Sequence, residues 1–144
     1  MLIKIIAVGK IKDKSLQAKI DEFCKWISPY AKLEIQELKD SSMDKEGVAI
    51  IRVLEKEKGH VFVMTEEGSQ FTSEKFSKKL SAIDSKIVFV IGGPFGIAAE
   101  VKHKADTLLS LSKMTFTHEM ARLFLIEQIY RAINIAKGGK YHNP

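Results

Sequence analysis

The sequence predicts an α/β domain built on a mostly parallel sheet with flanking helices. Three observations lead there. Short β-rich runs alternate with stretches of helical periodicity along the whole chain. Three of those runs, Leu2–Val8, His60–Thr65 and Lys86–Ile91, are almost continuously apolar, as strands covered on both faces are. The length, 144 residues, suits one compact domain over residues 1–144.

Each element has its own warrant. Leu2–Val8 is the first strand, ended by Gly9. Ser15 can cap a helix to about Ser28, with Leu16, Ile20, Phe23, Cys24 and Ile27 at helical spacing and Pro29 beyond it. Lys32–Leu38 alternates with period two, as an edge or half-exposed strand does. Asp40–Asp44 is a polar loop. Lys45–Lys58 is predicted helical, with Val48, Ile51 and Leu54 inward and Gly59 past its end. His60–Thr65 is a buried-type strand and Glu66–Ser69 a turn. Thr72 or Ser73 caps a third helix to about Ile83. Lys86–Ile91 is a central strand followed by the loop Gly92–Gly96, a short helix from about Ala98 to Lys104, and a short strand over Asp106–Leu111. His118–Lys137 is the longest helix, opened by Thr117 or His118, and Gly138–Pro144 is a tail.

The last helix carries two apolar stripes. Leu123, Ile126, Tyr130 and Ile133 form one; Leu125, Ile129, Ala132 and Ala136 form the other. A surface helix needs one such stripe. The second points to a partner subunit, most simply a second copy; a helix sunk into its own core is the alternative.

Composition excludes several classes. One cysteine, Cys24, permits neither an internal disulfide nor a thiolate cage. His60, His103, His118 and His142 show no zinc-type spacing. No apolar run approaches a membrane span, and the N-terminus reads as a strand rather than a leader, so a soluble cytoplasmic protein is expected. The net charge is +5, unevenly spread. Residues 1–100 hold 16 basic and 15 acidic side chains; residues 101–144 hold 7 and 3. A basic end suits a polyanion such as nucleic acid, or is simply solvated.

Open α/β sheets bind ligands at the carboxyl ends of their strands. Gly92 and Gly93 after a buried strand allow close approach of a ligand, and equally suit a tight turn. They match neither G-x-G-x-x-G nor a P-loop. Ser112–Thr117 leads from a strand into the long helix; its backbone groups could clasp a flat base, or it is a plain loop with a capping threonine. In the tail, Tyr141 can stack on a base and His142 can exchange a proton near neutral pH, although termini are commonly frayed.

Several segments together carry a resemblance. Lys4-Ile-Ile-Ala-Val-Gly-Lys10, Ile91-Gly-Gly-Pro-Phe-Gly96, Leu109-Ser-Leu-Ser-Lys-Met-Thr-Phe-Thr-His118, Arg122, Glu127-Gln-Ile-Tyr-Arg-Ala132 and Tyr141-His142 resemble the RlmH (YbeA-type) methyltransferases of the SPOUT class, in order and spacing along the whole chain. The resemblance implies a C-terminal trefoil knot, a homodimer, and transfer of a methyl group from S-adenosylmethionine to N3 of a pseudouridine in 23S ribosomal RNA on the assembled ribosome. No metal is implied. By the same resemblance Met64, Gly93 and the loop residues Ser112, Lys113, Met114, Thr115, Phe116 and Thr117 bind the cofactor. Met64 stands where relatives usually have leucine. The tail, with Tyr141 and His142, completes the active site. His142 is the candidate base, Tyr141 a stacker, and Arg122 and Arg131 can hold phosphates or a uracil oxygen. Asn143 and Pro144 replace the family's usual basic residue, which leaves Lys140 and Arg131 as the nearby cations. A non-catalytic RNA- or ribosome-binding module on the same fold is one competing reading. A small α/β enzyme binding a phosphorylated ligand at Gly92-Gly93 is another.

Overall fold

The computed structural model describes all 144 residues. Five strands form one sheet in the order β2-β1-β4-β3-β5, with every neighbouring pair parallel. The strands are β1 (Leu2–Val8), β2 (Lys32–Leu38), β3 (Gly59–Ser69), β4 (Lys86–Ile91) and β5 (Thr107–Leu109). The helices are α1 (Lys14–Ile27), α2 (Met43–Leu54), α3 (Ser73–Ser81), α4 (Ala99–Lys102) and α5 (His118–Ala136). Side chains alternate across each strand, and the two faces bury different cores. Ile3, Ile5 and Ala7 of β1 join Phe62 and Phe89 in a cluster of 20 buried residues beneath α1, α3 and α5. Ile6 and Val8 join a cluster of 10 beneath α2 and α4. The larger face thus carries the longest helix.

Three local expectations are corrected. Helix α1 is capped by Asp13, whose carboxylate accepts the Leu16 amide, rather than by Ser15. Helix α2 buries Gly47, Ile50 and Leu54, while Val48 is exposed and Ile51 only half-buried. The reason is Gly47: a Cβ there would lie 3.0 Å from the Ala98 Cβ, so the bare glycine face is the one that can press on the residues leading into α4. The expected turn at Glu66–Ser69 is strand instead. β3 slips register after Met64 and pairs again through Ser69 with Leu109 of β5, and Gly68 lets the Leu108 backbone pass where a Cβ would sit 2.6 Å from it.

The two stripes of α5 merge. Leu125, Ile126, Ile129, Ala132 and Ile133 are buried together, while Leu123 and Tyr130 are half-buried and Ala136 is exposed. One chain's own sheet, α1 and α3 therefore account for most of both stripes, so the stripes by themselves do not require a partner. Cys24 is half-buried, and burial, helped by the nearby Asp21, pushes its thiol up to about 11, so it is an inert thiol at neutral pH.

A charged cluster closes the amino end of the smaller core. Lys4 is buried within β1, and its Nζ lies 2.8 Å from Glu57 Oε1; Lys86 Nζ lies 2.8 Å from Glu57 Oε2. Burial pulls the Glu57 carboxyl up, but hydrogen bonds from the two lysines outweigh it and hold it below the usual carboxylate range. A lowered folded value favours the carboxylate in the fold, so its contribution is present at neutral pH and is lost as pH falls through that value. Glu57→Gln should therefore cost roughly 1–3 kcal/mol near neutrality. Urea melts of both proteins should show the gap closing only as the pH falls below the ordinary glutamate range. A gap that is constant with pH would contradict the ion-pair account.

Candidate active site

The chain leaves β1 and β4 in opposite directions: β1 connects to β2 on one side, and β4 connects through α4 to β5 on the other. In a doubly wound sheet this point opens a crevice at the carboxyl ends of the strands. Gly9 follows β1 and Gly92-Gly93 follow β4 at this place, adding no side chains of their own, while His118 packs beside Gly9 and Ile97 beside Gly92. A cleft of about 1040 Å³ results. Its walls come from the end of β3 (Met64–Glu67), the loop after β4 (Ile91–Ile97) and the segment from Leu109 into α5.

The loop after β4 is a tight turn as well as a wall. The Gly96 amide donates to the Gly93 carbonyl at 3.1 Å, and Gly96 takes φ +88°, in the left-handed region. A Cβ on Gly93 would lie 3.0 Å from Val8 Cγ1 and 3.2 Å from Glu46 Oε1. Glu46 Oε1 is itself buried without a hydrogen-bond partner, while Oε2 accepts the Ser41 amide. Val8 and Glu46 lie outside the cleft lining, so they pack the Gly93 wall from behind and leave no room there for a side chain.

The second wall is braced from within. The Ser110 hydroxyl donates to the Ser112 carbonyl, and the Met114 amide donates to the Ser112 hydroxyl. The Thr115 hydroxyl donates to Glu66 across the cleft at 2.9 Å. That bond, with the residue's own amide, holds the Glu66 carboxyl below its usual range, leaving a carboxylate at the rim that can accept ribose hydroxyls. Thr117 caps α5 by accepting the Met120 amide. Met114, Phe116 and Phe95 are exposed, supplying apolar surface at the mouth. The expected S-adenosylmethionine combines a flat base, a ribose and positive charge, and this mixture of apolar rim, rim carboxylates and open glycine floor fits it. Met64, Gly93, Ser112, Met114, Thr115, Phe116 and Thr117 all line the cleft. Lys113 is exposed and lies outside its lining.

Arg122 has a different setting from the expected phosphate contact. It is 2% exposed. Nη1 donates to Glu37 of β2 and Nη2 to the Gly9 carbonyl at 3.0 Å. Its guanidinium is therefore spent on fastening α5 to the ends of β1 and β2, and neither Glu119 nor Glu127 is its partner. Glu119 instead accepts the Lys12 and Asp13 amides, a second fastening of the same two parts.

The tail folds back on α3 and α5 as a connected polar network. The Tyr141 hydroxyl donates to Glu127 Oε2 at 2.8 Å, and Arg131 Nη2 donates to the same oxygen at 2.7 Å. Arg131 lies 4.8 Å from the Tyr141 ring centre. Burial and the bond to Glu127 push the Tyr141 phenol up to about 12, so it remains a donor at neutral pH. His142 contacts Arg131 and Glu74, and Lys140 is exposed. Neither Tyr141 nor His142 lines the cleft of its own chain. Sequence reasoning missed Glu46, Glu66, Glu74 and Glu37. All four are single carboxylates on helix or strand positions, and only the tertiary contacts distinguish them from solvated charge. Glu127 is the hub of the tail network.

Comparison with known proteins gives a concordant picture. The family model described as "Predicted SPOUT methyltransferase" matches residues 1–142. The chain is 43% identical over 159 aligned residues to "Ribosomal RNA large subunit methyltransferase H" of Clostridium perfringens strain 13, covering 99% of both chains. It is 40% identical over 159 residues to the protein of that name from Streptococcus mutans and 38% identical over 152 residues to that from Dictyoglomus thermophilum, again with 99% coverage of both. Among solved structures it resembles a probable methylase family protein from Haemophilus influenzae, with TM-score 0.57 and 12% identity over 99% of this chain and 70% of that one. The last likeness concerns the fold alone.

Two outcomes test the site's construction. Arg122→Met should destabilise the protein by about 1–3 kcal/mol, chiefly because the buried Gly9 carbonyl loses its donor, Glu37 being exposed to water. Arg122→Lys should recover only part, lacking the fork that reaches both acceptors. Chemical denaturation measures both, and a neutral Arg122→Met would show the brace to be idle. Gly93→Val should lower cofactor affinity at least tenfold, about 1.4 kcal/mol, in calorimetric titration with S-adenosylmethionine. Undiminished affinity would remove Gly93 from the binding wall.

Proposed function

The chain belongs to the SPOUT methyltransferase family, and from that premise we propose that it methylates N3 of a pseudouridine in large-subunit ribosomal RNA, with S-adenosylmethionine as methyl donor. The observation that carries the reading is the cleft at the β1/β4 switch point, framed by Gly92-Gly93 on one side and Ser112–Thr117 on the other. Curated relatives close to 40% identical over the full chain bear the name of a ribosomal RNA large subunit methyltransferase, which supports the RNA as substrate. Membership also brings the expectation of a trefoil knot in the C-terminal part, and Arg122 and Glu119, which bind the β1–α1 segment, are suited to lock such a threading.

Bound in the cleft, S-adenosylmethionine would supply an electrophilic methyl group, the hard part of the chemistry. The protein's share is positional. Met64, Gly93 and the 112–117 loop would hold the cofactor. The pseudouridine ring must be brought to the mouth, where Phe116 and Tyr141 offer aromatic faces. N3 carries a weakly acidic proton that must leave, and His142 is the base proposed for it. Arg131 and Lys140 would meet RNA phosphates, with Arg122 acting at a distance as the brace of the cofactor loop.

We further propose a homodimer. Tyr141 and His142 lie off their own chain's cleft while exposed Phe95, Met114 and Phe116 stand at its mouth, an arrangement that a second copy would complete. A cytoplasmic enzyme working on assembled ribosomes follows from the same substrate. No helix is long and apolar enough to cross a membrane.

Three measurements test the reading. Isothermal titration should detect binding of S-adenosylmethionine, and mass mapping of ribosomal RNA from cells lacking the protein should show one methyl group missing from a large-subunit pseudouridine. Unaltered RNA would refute the substrate. If the missing methyl fell on another base, the N3 assignment alone would be lost. Removing Lys140–Pro144 should abolish methyl transfer and leave cofactor affinity within about twofold; a truncated protein of full activity would exclude the tail from the chemistry.

A further inference from the structure

His142 is gripped at both ring nitrogens by groups from two different helices. Nδ1 lies 3.1 Å from Arg131 Nη1 on α5, and Nε2 lies 2.9 Å from Glu74 Oε1 in the first turn of α3. A guanidinium has donors only, so Nδ1 is the acceptor of that pair. The ring proton of neutral His142 is thereby assigned to Nε2, where the Glu74 carboxylate accepts it. The imidazole is largely covered, with 17% of the side chain exposed. The charged groups facing it are Glu74 from α3 and Arg131 from α5, with Glu127 one contact further on through Arg131. The bond from His142 also holds the Glu74 carboxyl below its usual range, so the acceptor is an ionised one.

We infer that Glu74 is a positioning residue for methyl transfer: it holds His142 in the Nε2–H tautomer and so makes Nδ1 the atom that takes the proton from the target nitrogen. The inference rests on the reading of His142 as the base. Arg131 covers Nδ1 in the chain as it stands. Arg131 Nη2 is held by Glu127, but Nη1 faces only the neutral ring nitrogen, and an RNA phosphate is a stronger partner for that Nη1, so arrival of the RNA turns Nη1 away and bares the lone pair. The N3–H bond of the pseudouridine then breaks and its proton passes to Nδ1. The electron pair stays on N3, which would attack the methyl carbon as the methyl–sulfur bond breaks, the donor leaving as a neutral thioether. His142 is left as an imidazolium whose Nε2–H still points at the Glu74 carboxylate, the arrangement in which a carboxylate orients a histidine base and stabilises its charged form. Arg131 is thus a cover as well as a phosphate ligand, and the base is exposed only when RNA is present.

The test uses the full-length protein with ribosomes isolated from cells lacking it. Glu74→Ala should lower kcat at least tenfold, with KM for S-adenosylmethionine within twofold. Glu74→Gln, which keeps an amide oxygen to accept Nε2–H, should recover a substantial part of the loss. Long-range proton–nitrogen NMR of the histidine ring should show the Nε2–H tautomer of His142 in the unaltered protein and in Glu74→Gln, and a mixture in Glu74→Ala. An unchanged kcat in Glu74→Ala, a rise in KM for the ribosome alone, or an Nδ1–H tautomer in the unaltered protein would each overturn the inference. His142→Gln separates the two levels. If it retains full activity, the base assignment itself falls. If it is inactive while Glu74→Ala keeps its kcat, only the role of Glu74 is lost.

Discussion

The architecture turns on one buried guanidinium. Arg122 reaches from the first turns of α5 to Glu37 on β2 and to the carbonyl of Gly9 at the end of β1. Those two acceptors lie side by side because β1 and β2 are in parallel register from Leu2 and Lys32 to Val8 and Leu38, and the Gly9 amide continues the ladder to the Leu38 carbonyl. A rigid planar fork can satisfy both, where a lysine ammonium offers no such planar pair of donors. Burial gives the contact its force on one side: Arg122 and Gly9 are buried while Glu37 is exposed, so with the donor removed it is the Gly9 carbonyl that would be left unpaired away from water. Since α5 begins where the 112–117 loop ends, the position of that loop over the cleft depends on this anchorage.

Unequal packing on the two faces of the sheet explains where the functional parts lie. The larger core takes α1, α3 and α5, and α5 is drawn into it along a broad face from Leu125 to Ile133. Its remaining surface carries Glu127, Gln128 and Arg131, and there the tail docks, against the start of α3. The cleft opens at the strand ends instead. A second hollow of about 380 Å³ shares Leu109, Leu111 and Phe116 with the cleft and reaches to Glu127 and Gln128. Cofactor wall and tail anchor are therefore neighbours on one surface but not parts of one cavity, which makes a single chain an incomplete enzyme under the proposed chemistry.

Much of this was legible in residue order, for identifiable reasons. Leu2–Val8 and Lys86–Ile91 are apolar on both faces because both faces are covered, and no other element satisfies that pattern at such lengths. Thr117 declares itself as a cap by residue type and place. On α2, Val48 and Ile51 are more hydrophobic than Gly47 and so point the wrong residues inward beside Leu54, while the fold sets the bare Gly47 against Ala98. Glu66-Glu67-Gly68-Ser69 is turn-like in composition, yet its pairing with the distant Leu109 makes it part of β3.

By itself the sequence determined the α/β class, the approximate limits of most elements, the cleft-lining segments and, through its motifs, the family. These depend on periodicity and local residue chemistry, which adjacent positions record. Tertiary structure alone decided the work of the isolated charges. Arg122 became a brace, Arg131 a cover for His142, Glu127 a hub and Glu74 the partner of the imidazole 68 positions away. A lone charge carries no periodicity. Its role is set by whichever opposite charge or lone pair the fold brings within about 3 Å, and that distance is a property of the packed chain.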